Sequence, residues 1–142
     1  ERDTLLWTIG PHLVWHMTHH ARVVLGYHYE RGLADGQREV QFKDDVSYRQ
    51  HFASLGATAW VSRSLSVTAG YAYRRKTFTS DIVGDSNRGV VDTTHQGSAE
   101  LRYEVNQAAA ITLGFQRSQR SSNAGTRDFF NTNTSLGFQY RF

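Results

Sequence analysis

Three groups of side chains in this 142-residue chain have types and spacings that could do chemistry. Asp92, His95 and Ser98 are the ingredients of a hydroxyl nucleophile, its base and an orienting carboxylate. On a strand, however, successive side chains point to opposite faces. Asp92 and Ser98 then share one face and His95 takes the other, so without a bulge no hydrogen-bonded triad forms. His16, His19 and His20 cluster at a short turn. A metal there would need a defined geometry and usually a further ligand, and solvated turn histidines are the simpler reading. His12 and His28 share one parity on neighbouring segments and could titrate together, or serve as polar lining. The third group is charged. Glu100, Arg102 and Glu104 lie on the polar side of one segment, and Arg22, Arg74, Gln116 and Arg141 on the polar sides of others. In an enclosed space such residues either pair and fill it, or line water and set a transverse field for solutes. With His28 they are the candidate lumen-facing residues. No catalytic residue, metal or cofactor is assigned.

The elements that must position these residues are strands. Val23, Leu25, Tyr27 and Tyr29 alternate with Arg22, Val24, Gly26, His28 and Glu30. Leu65, Val67, Ala69, Tyr71 and Tyr73 alternate with small or polar residues, as do Ala99, Leu101, Tyr103 and Val105. So do Ala109, Ile111, Leu113 and Phe115, and finally Leu136, Phe138, Tyr140 and Phe142. This period of two gives each segment one apolar and one polar face. It predicts seven strands, over Leu5–Met17, Ala21–Arg31, Val46–Val61, Leu65–Phe78, Val91–Val105, Ala109–Gln119 and Phe129–Phe142. No segment reads as an amphipathic helix.

Composition narrows the class. Mean hydropathy is −0.55 and no apolar run approaches the roughly 20 residues of a spanning helix. With no Cys there is no disulfide scaffold, thiolate chemistry or Cys-based zinc site. The aromatic content, 13%, argues against disorder. A net charge of +3 is too small to point to nucleic acid, and no nucleic-acid partner is assigned. The chain starts at Glu1 without a signal peptide and reads as processed or truncated.

The connections sort by length. Short turns at Thr18–His20, Ser62–Ser64 and Asn106–Ala108 alternate with long polar stretches at Gly32–Asp45, Thr79–Val90 and Arg120–Asp128. That is the pattern of outer-membrane barrels, with short periplasmic turns and long external loops. A repeat supports it. Val23-x-Leu25-Gly26-Tyr27-x-Tyr29-x-Arg31 matches Val67-x-Ala69-Gly70-Tyr71-x-Tyr73-x-Arg75, with a weaker copy at Ile111-x-Leu113-Gly114-Phe115. Gly26, Gly70 and Gly114 are spaced 44 apart (70 − 26 and 114 − 70), one hairpin per period. Gly56 and Gly70 should face each other if Val61 pairs with Leu65 around the turn.

A water-soluble sandwich or lipocalin-like barrel would turn the apolar face inward and solvate the other with Lys and Glu. Here the polar face is mostly Ser, Thr, Gly, Gln and Asn, and the only lysines, Lys43 and Lys76, lie near loops. Aromatics mark the ends of the apolar face: Trp15 and Tyr103 near short turns, Tyr29 and Tyr73 near long loops, as in interfacial girdles. The expected fold is an all-β, antiparallel up-and-down transmembrane β-barrel in the bacterial outer membrane, its apolar side chains facing lipid.

Seven is an odd count, whereas single-chain bacterial barrels have an even one. If Phe142 is periplasmic, Glu1 lies outside and at least one strand precedes it. The chain therefore reads as the C-terminal part of a larger barrel, residues 1–142 forming one domain or segment. Alternatively Gly10-Pro11 breaks off a further short strand. Pro11 cannot donate to a ladder and belongs on an edge or at a bulge.

The last strand, with Gly137, Phe138, Tyr140 and terminal Phe142, resembles the C-terminal recognition strand of bacterial outer-membrane proteins, which implies the barrel-assembly machinery as a transient partner. The segment Ser64-Leu65-Ser66-Val67-x-Ala69-Gly70-Tyr71-x-Tyr73-Arg74-Arg75, together with the ending Ser135-Leu136-Gly137-Phe138-Gln139-Tyr140-Arg141-Phe142, resembles the barrel porins encoded with exopolysaccharide export systems. That resemblance implies a larger outer-membrane barrel with polysaccharide as cargo, and assigns no substrate residue. The expected function is a porin-like channel or polysaccharide export pore. The alternatives are a structural barrel whose long loops bind a surface partner or other envelope proteins, and a lipid-modifying barrel enzyme.

Overall fold

A computed structural model gives the fold and describes residues 4–34, 37–38 and 43–141. The strands are β1 (Thr4–Ile9), β2 (His12–Thr18), β3 (Ala21–Ala34), β4 (Gln37–Arg38), β5 (Lys43–Asp44), β6 (Tyr48–Trp60), β7 (Leu65–Phe78), β8 (Val91–Glu104), β9 (Ala109–Ser122) and β10 (Phe129–Tyr140). Eight of them form one antiparallel sheet in the order β1-β3-β6-β7-β8-β9-β10, with β2 also on β3. The two-residue strands β4 and β5 pair separately, within the connection between β3 and β6. Among the described residues there is no helix.

The seven spans are present, but the first is in two pieces. β1 covers the far half of β3 (Ile9 opposite Tyr29) and β2 the near half (His12 opposite Gly26), in one register that holds from Thr4 to His16 and shifts before Thr18. The interruption is Gly10-Pro11. Pro11 brings no N–H to the ladder, while its carbonyl still accepts from the Tyr27 N–H at 3.1 Å. This broken span is an edge of the sheet, where proline is tolerated. Elsewhere the spans differ from expectation at their ends. β3 runs on to Ala34, paired with β1, and β9 to Ser122, paired with β8. β6 starts at Tyr48 and ends at Trp60, and β8 ends at Glu104. Phe142 lies outside the described residues.

The short turns are closed by backbone bonds and by their own side chains. Val61 N–H donates to the Leu65 carbonyl at 2.9 Å, which places Gly56 opposite Gly70. Asn106 Oδ1 accepts from the N–H groups of Ala108 and Ala109, each at 2.8 Å.

The two faces differ in exposure. On β6 the polar-face residues Tyr48, Gln50, Phe52, Ser54, Gly56 and Thr58 are buried or half-buried, while Arg49, His51, Ala53, Leu55, Ala57 and Ala59 on the other face are exposed. Among the described residues no second layer covers either face, so the greater occlusion of the polar face means that the sheet curls around it. The apolar face is convex. Leu25, Leu101 and Leu136 are 44%, 42% and 78% exposed, and Leu65 is half-buried. The buried apolar residues, among those described, are Ile82, Val90 and Ala110. A soluble β protein inverts this arrangement.

The sheet is staggered as well as curved. The row of cross-strand neighbours Ala21, Ala59, Val67, Leu101, Leu113 and Leu136 begins at the first residue of β3 and ends four residues before the end of β10 (140 − 136). Such a stagger is the shear that tilts barrel strands. The sheet does not close on itself: β1/β2 and β10 are its two edges.

Candidate functional site

The concave face is built by parity. Register places Arg22, His28, Arg74, Glu100, Arg102, Glu104 and Gln116 all on it, and it divides into three zones.

At the short-turn end the charges pair. Arg102 lies 3.6 Å from Glu104 and donates twice to Gln139 Oε1, both at 3.1 Å, reaching from β8 past buried Ala110 on β9 to β10. Arg141 lines the same hollow. Arg22 sits over the Trp60 ring, 5.9 Å from its centroid, with its Nε buried and without a hydrogen-bond partner. Glu100 lies opposite Thr68 and Gly114.

The middle zone carries one charge, Glu100 at its short-turn edge. Gln116 shares a groove with Ser98, Gly114, Asn133 and Ser135, and the facing Gly56 and Gly70 leave a smooth stretch of wall beside it. Away from Glu100 the zone's side chains are small or neutral and hydrogen-bonding.

At the loop end, cations alternate with rings. His28 stacks on Phe52 at 4.6 Å, and Arg74, the neighbour of Phe52 on its other side, lies 5.6 Å from the same ring centroid. Arg120 lies over Phe129 at 4.8 Å, and Arg127 over Phe78 at 4.9 Å. Lys76 Nζ is 3.7 Å from the Tyr48 centroid and 4.8 Å from that of Phe78. Arg74, Arg120, Phe52 and Phe129 line one groove together with Thr94 and Gln96. Opposing carboxylates are fewer. Glu30 accepts from Tyr48 Oη at 2.7 Å, and buried Asp92 lies 4.0 Å from Arg127. Cations over ring faces are held without being neutralised by those rings.

The loops above are tied together through Asp85. Its carboxylate accepts from the N–H of Asn87 and of Asp45, each at 2.8 Å, and from the Ser80 hydroxyl. Burial alone would raise its pKa, but these hydrogen bonds and the nearby Arg127 outweigh burial and hold it below the usual carboxylate range. Asn87 donates to the Asp45 carbonyl and accepts from Arg127, and Asn123 donates to the Gly89 carbonyl. Three connections thus share one polar network.

The other sequence candidates separate as alternation requires. Asp92 is buried on the concave face, Ser98 shares that face lower down, and His95 is on the convex one. There His95 Nδ1 and Tyr71 Oη share a hydrogen bond at 2.6 Å. His16 lies opposite Arg22, and His20 N–H donates to the Thr18 hydroxyl. His12 lies opposite Gly26 on the same face as His28. Gly137 is concave-facing opposite Thr112, while Phe138 and Tyr140 are exposed on the convex face. Phe52, Phe78, Phe129 and Lys76 were not singled out from sequence. Their parity, inward aromatics flanked by basic residues near loops, is the signal that finds them.

The family model described as "Putative beta-barrel porin 2" matches residues 11–142. No curated protein and no solved structure gives a significant match.

Proposed function

The chain belongs to the family described as "Putative beta-barrel porin 2", and from that premise we propose that it is wall of an outer-membrane channel whose concave face lines the solute path. The observation that carries this reading is the pairing of an exposed apolar convex face with a concave face of neutral polar groups and ring-held cations. Lipid on one side and water on the other is the environment that stabilises both. The open edges of the sheet call for further strands to complete the wall, either from the same polypeptide or from another copy. The finer proposal is an export pore for anionic saccharide. The Phe52–Arg74 and Phe129–Arg120 pairs offer ring faces for sugar rings and guanidinium groups for carboxylates, in one groove. Assembly through the C-terminal strand, by the barrel-assembly machinery, belongs to the same reading.

Reconstitution of the full-length barrel in planar bilayers tests it. Conductance with a preference for anions is expected, and acidic oligosaccharides should block it from the loop side. A correctly inserted barrel that never passes ions removes the channel. The network centred on Asp85 favours a second role, presentation of an ordered loop surface to an envelope partner. Deleting residues 79–90 separates the two: loss of partner binding with conductance intact supports presentation.

A further inference from the structure

The convex face carries charge of one sign only, and at one end only. In the eight strands of the large sheet, Glu30, Asp92, Glu100 and Glu104 all have inward parity. The outward positions hold Arg31, Arg49, Arg75 and Arg117, with His51 and His95, and no Asp or Glu. All six bases are exposed and lie loop-side of Leu25, Leu55, Leu65, Leu101 and Leu113 on their own strands, with Leu33 beyond Arg31 and Phe130 against Arg117. Random solvated charges would mix signs.

Beneath this belt lies an apolar groove. Its floor is Ala53 and Leu55, and Tyr27, Tyr71 and Tyr73 rise on its two sides. The groove exists because Ala53 stands between Tyr27 and Tyr73 in one cross-strand row. Its loop-side end runs into His51, and His51 lies directly opposite Arg75 on β7, with Arg49 one step above on the same face.

The imidazole at this junction is oriented. Tyr27 Oη and His51 Nδ1 share a hydrogen bond at 2.8 Å, and the Tyr29 ring packs against His51 at 5.1 Å. The bond occupies Nδ1, which leaves Nε2 as the ring nitrogen for an outside partner. The same bracket recurs 44 residues later: Tyr71 holds His95 at 2.6 Å and Tyr73 packs against it at 5.3 Å.

We propose that the convex face holds a phosphorylated lipid of the loop-side leaflet, one acyl chain lying over Ala53 between Tyr27 and Tyr73 and the phosphate meeting His51, Arg75 and Arg49. The inference rests on the reading that this face meets lipid. Two independent features select the occupant. The groove accepts a linear apolar chain, and the adjoining donors are basic and unopposed, which suits a phosphate better than a zwitterionic headgroup. The Tyr–His brackets place rings and donors at the depth where headgroup meets hydrocarbon.

Native mass spectrometry of the full-length barrel in detergent, titrated with diphosphoryl lipid A or with phosphatidylcholine, tests the proposal. Retention of the phosphorylated lipid at least tenfold above phosphatidylcholine is expected. Arg49→Gln and Arg75→Gln should each weaken it about tenfold, and Ala53→Phe, which fills the groove, should weaken it without changing charge. Arg74→Gln, on the concave face, should leave it unchanged. Equal retention of both lipids, or binding indifferent to Arg49→Gln, Arg75→Gln and Ala53→Phe, overturns the proposal. Flotation with liposomes keeps the two levels apart: failure to insert removes the membrane reading itself, whereas insertion without lipid preference removes only the lipid site.

Discussion

Gly10 lies so close to Tyr27 that a Cβ built on it would fall 1.9 Å from the Tyr27 carbonyl oxygen and 2.4 Å from the His28 Cα. Both contacts are backbone, so neither can rotate away. Gly10→Ala must therefore push β1 or β2 off β3, at a cost of about 3 kcal/mol. By contrast a Cβ on Gly56 meets nothing nearer than the Val24 Cβ at 4.0 Å. The comparison is measured by thermal unfolding of the folded, heat-modifiable species on gels. Gly10→Ala should lower the midpoint clearly and Gly56→Ala should not. Equal midpoints would refute the close packing of the edge span.

The two faces predict opposite outcomes for one substitution. Leu113 is outward and half-exposed, and Gln116 is inward on the same strand. Leu113→Arg places a charge against hydrocarbon and should cost about 2–4 kcal/mol in a membrane-inserted barrel. Gln116→Arg should cost far less and alter conductance instead. Urea unfolding in lipid vesicles checks the first, and single-channel recording the second.

Arg74 and Arg120 set the sign of the field at the loop end. At about 10 Å through water one charge is worth roughly 0.4 kcal/mol, or about twofold in local ion concentration. Arg74→Gln with Arg120→Gln should lower local anions about fourfold and raise local cations about fourfold, reducing the anion-to-cation permeability ratio about sixteenfold. The reversal potential under a KCl gradient reads this directly, and an unchanged potential would place the solute path elsewhere.

Asp85 makes the loop network pH-dependent. Its carboxyl titrates below the ordinary range in the folded loop, so the unfolded loop binds the proton more tightly. The stabilisation is present above the ordinary carboxylate pKa of about 4 and is lost as pH falls through and below it. Protease cleavage within residues 79–90 should accelerate at that low pH and be slow at neutral pH. Asp85→Asn should cost on the order of 2 kcal/mol of local stability and abolish the pH dependence.

Much of the molecule was legible because a strand with one apolar face and one polar face writes its orientation into every second residue. Val23 to Tyr29 and Leu65 to Tyr73 fixed parity, and parity placed Glu100, Arg102 and Glu104 together before any pairing was known. The break at Gly10-Pro11 was visible as a proline, but its in-register continuation depends on β3. The cation–ring pairs were missed because Arg74 and Phe52 are neighbours only once β6 and β7 are in register. His51 and His95 were recoverable: each follows its tyrosine by 24 residues (51 − 27 and 95 − 71), inside the repeat already seen. The Asp45–Asp85 bond spans two loops and leaves no periodic trace.

The hairpin repeat gives the wall a modular gauge. The first two copies each bring a tyrosine-held imidazole on the apolar side, while the third has Phe115 and Gln139 in those places. Gain or loss of one such unit would lengthen or shorten the sheet by a whole hairpin while leaving the chemistry of either surface as it was.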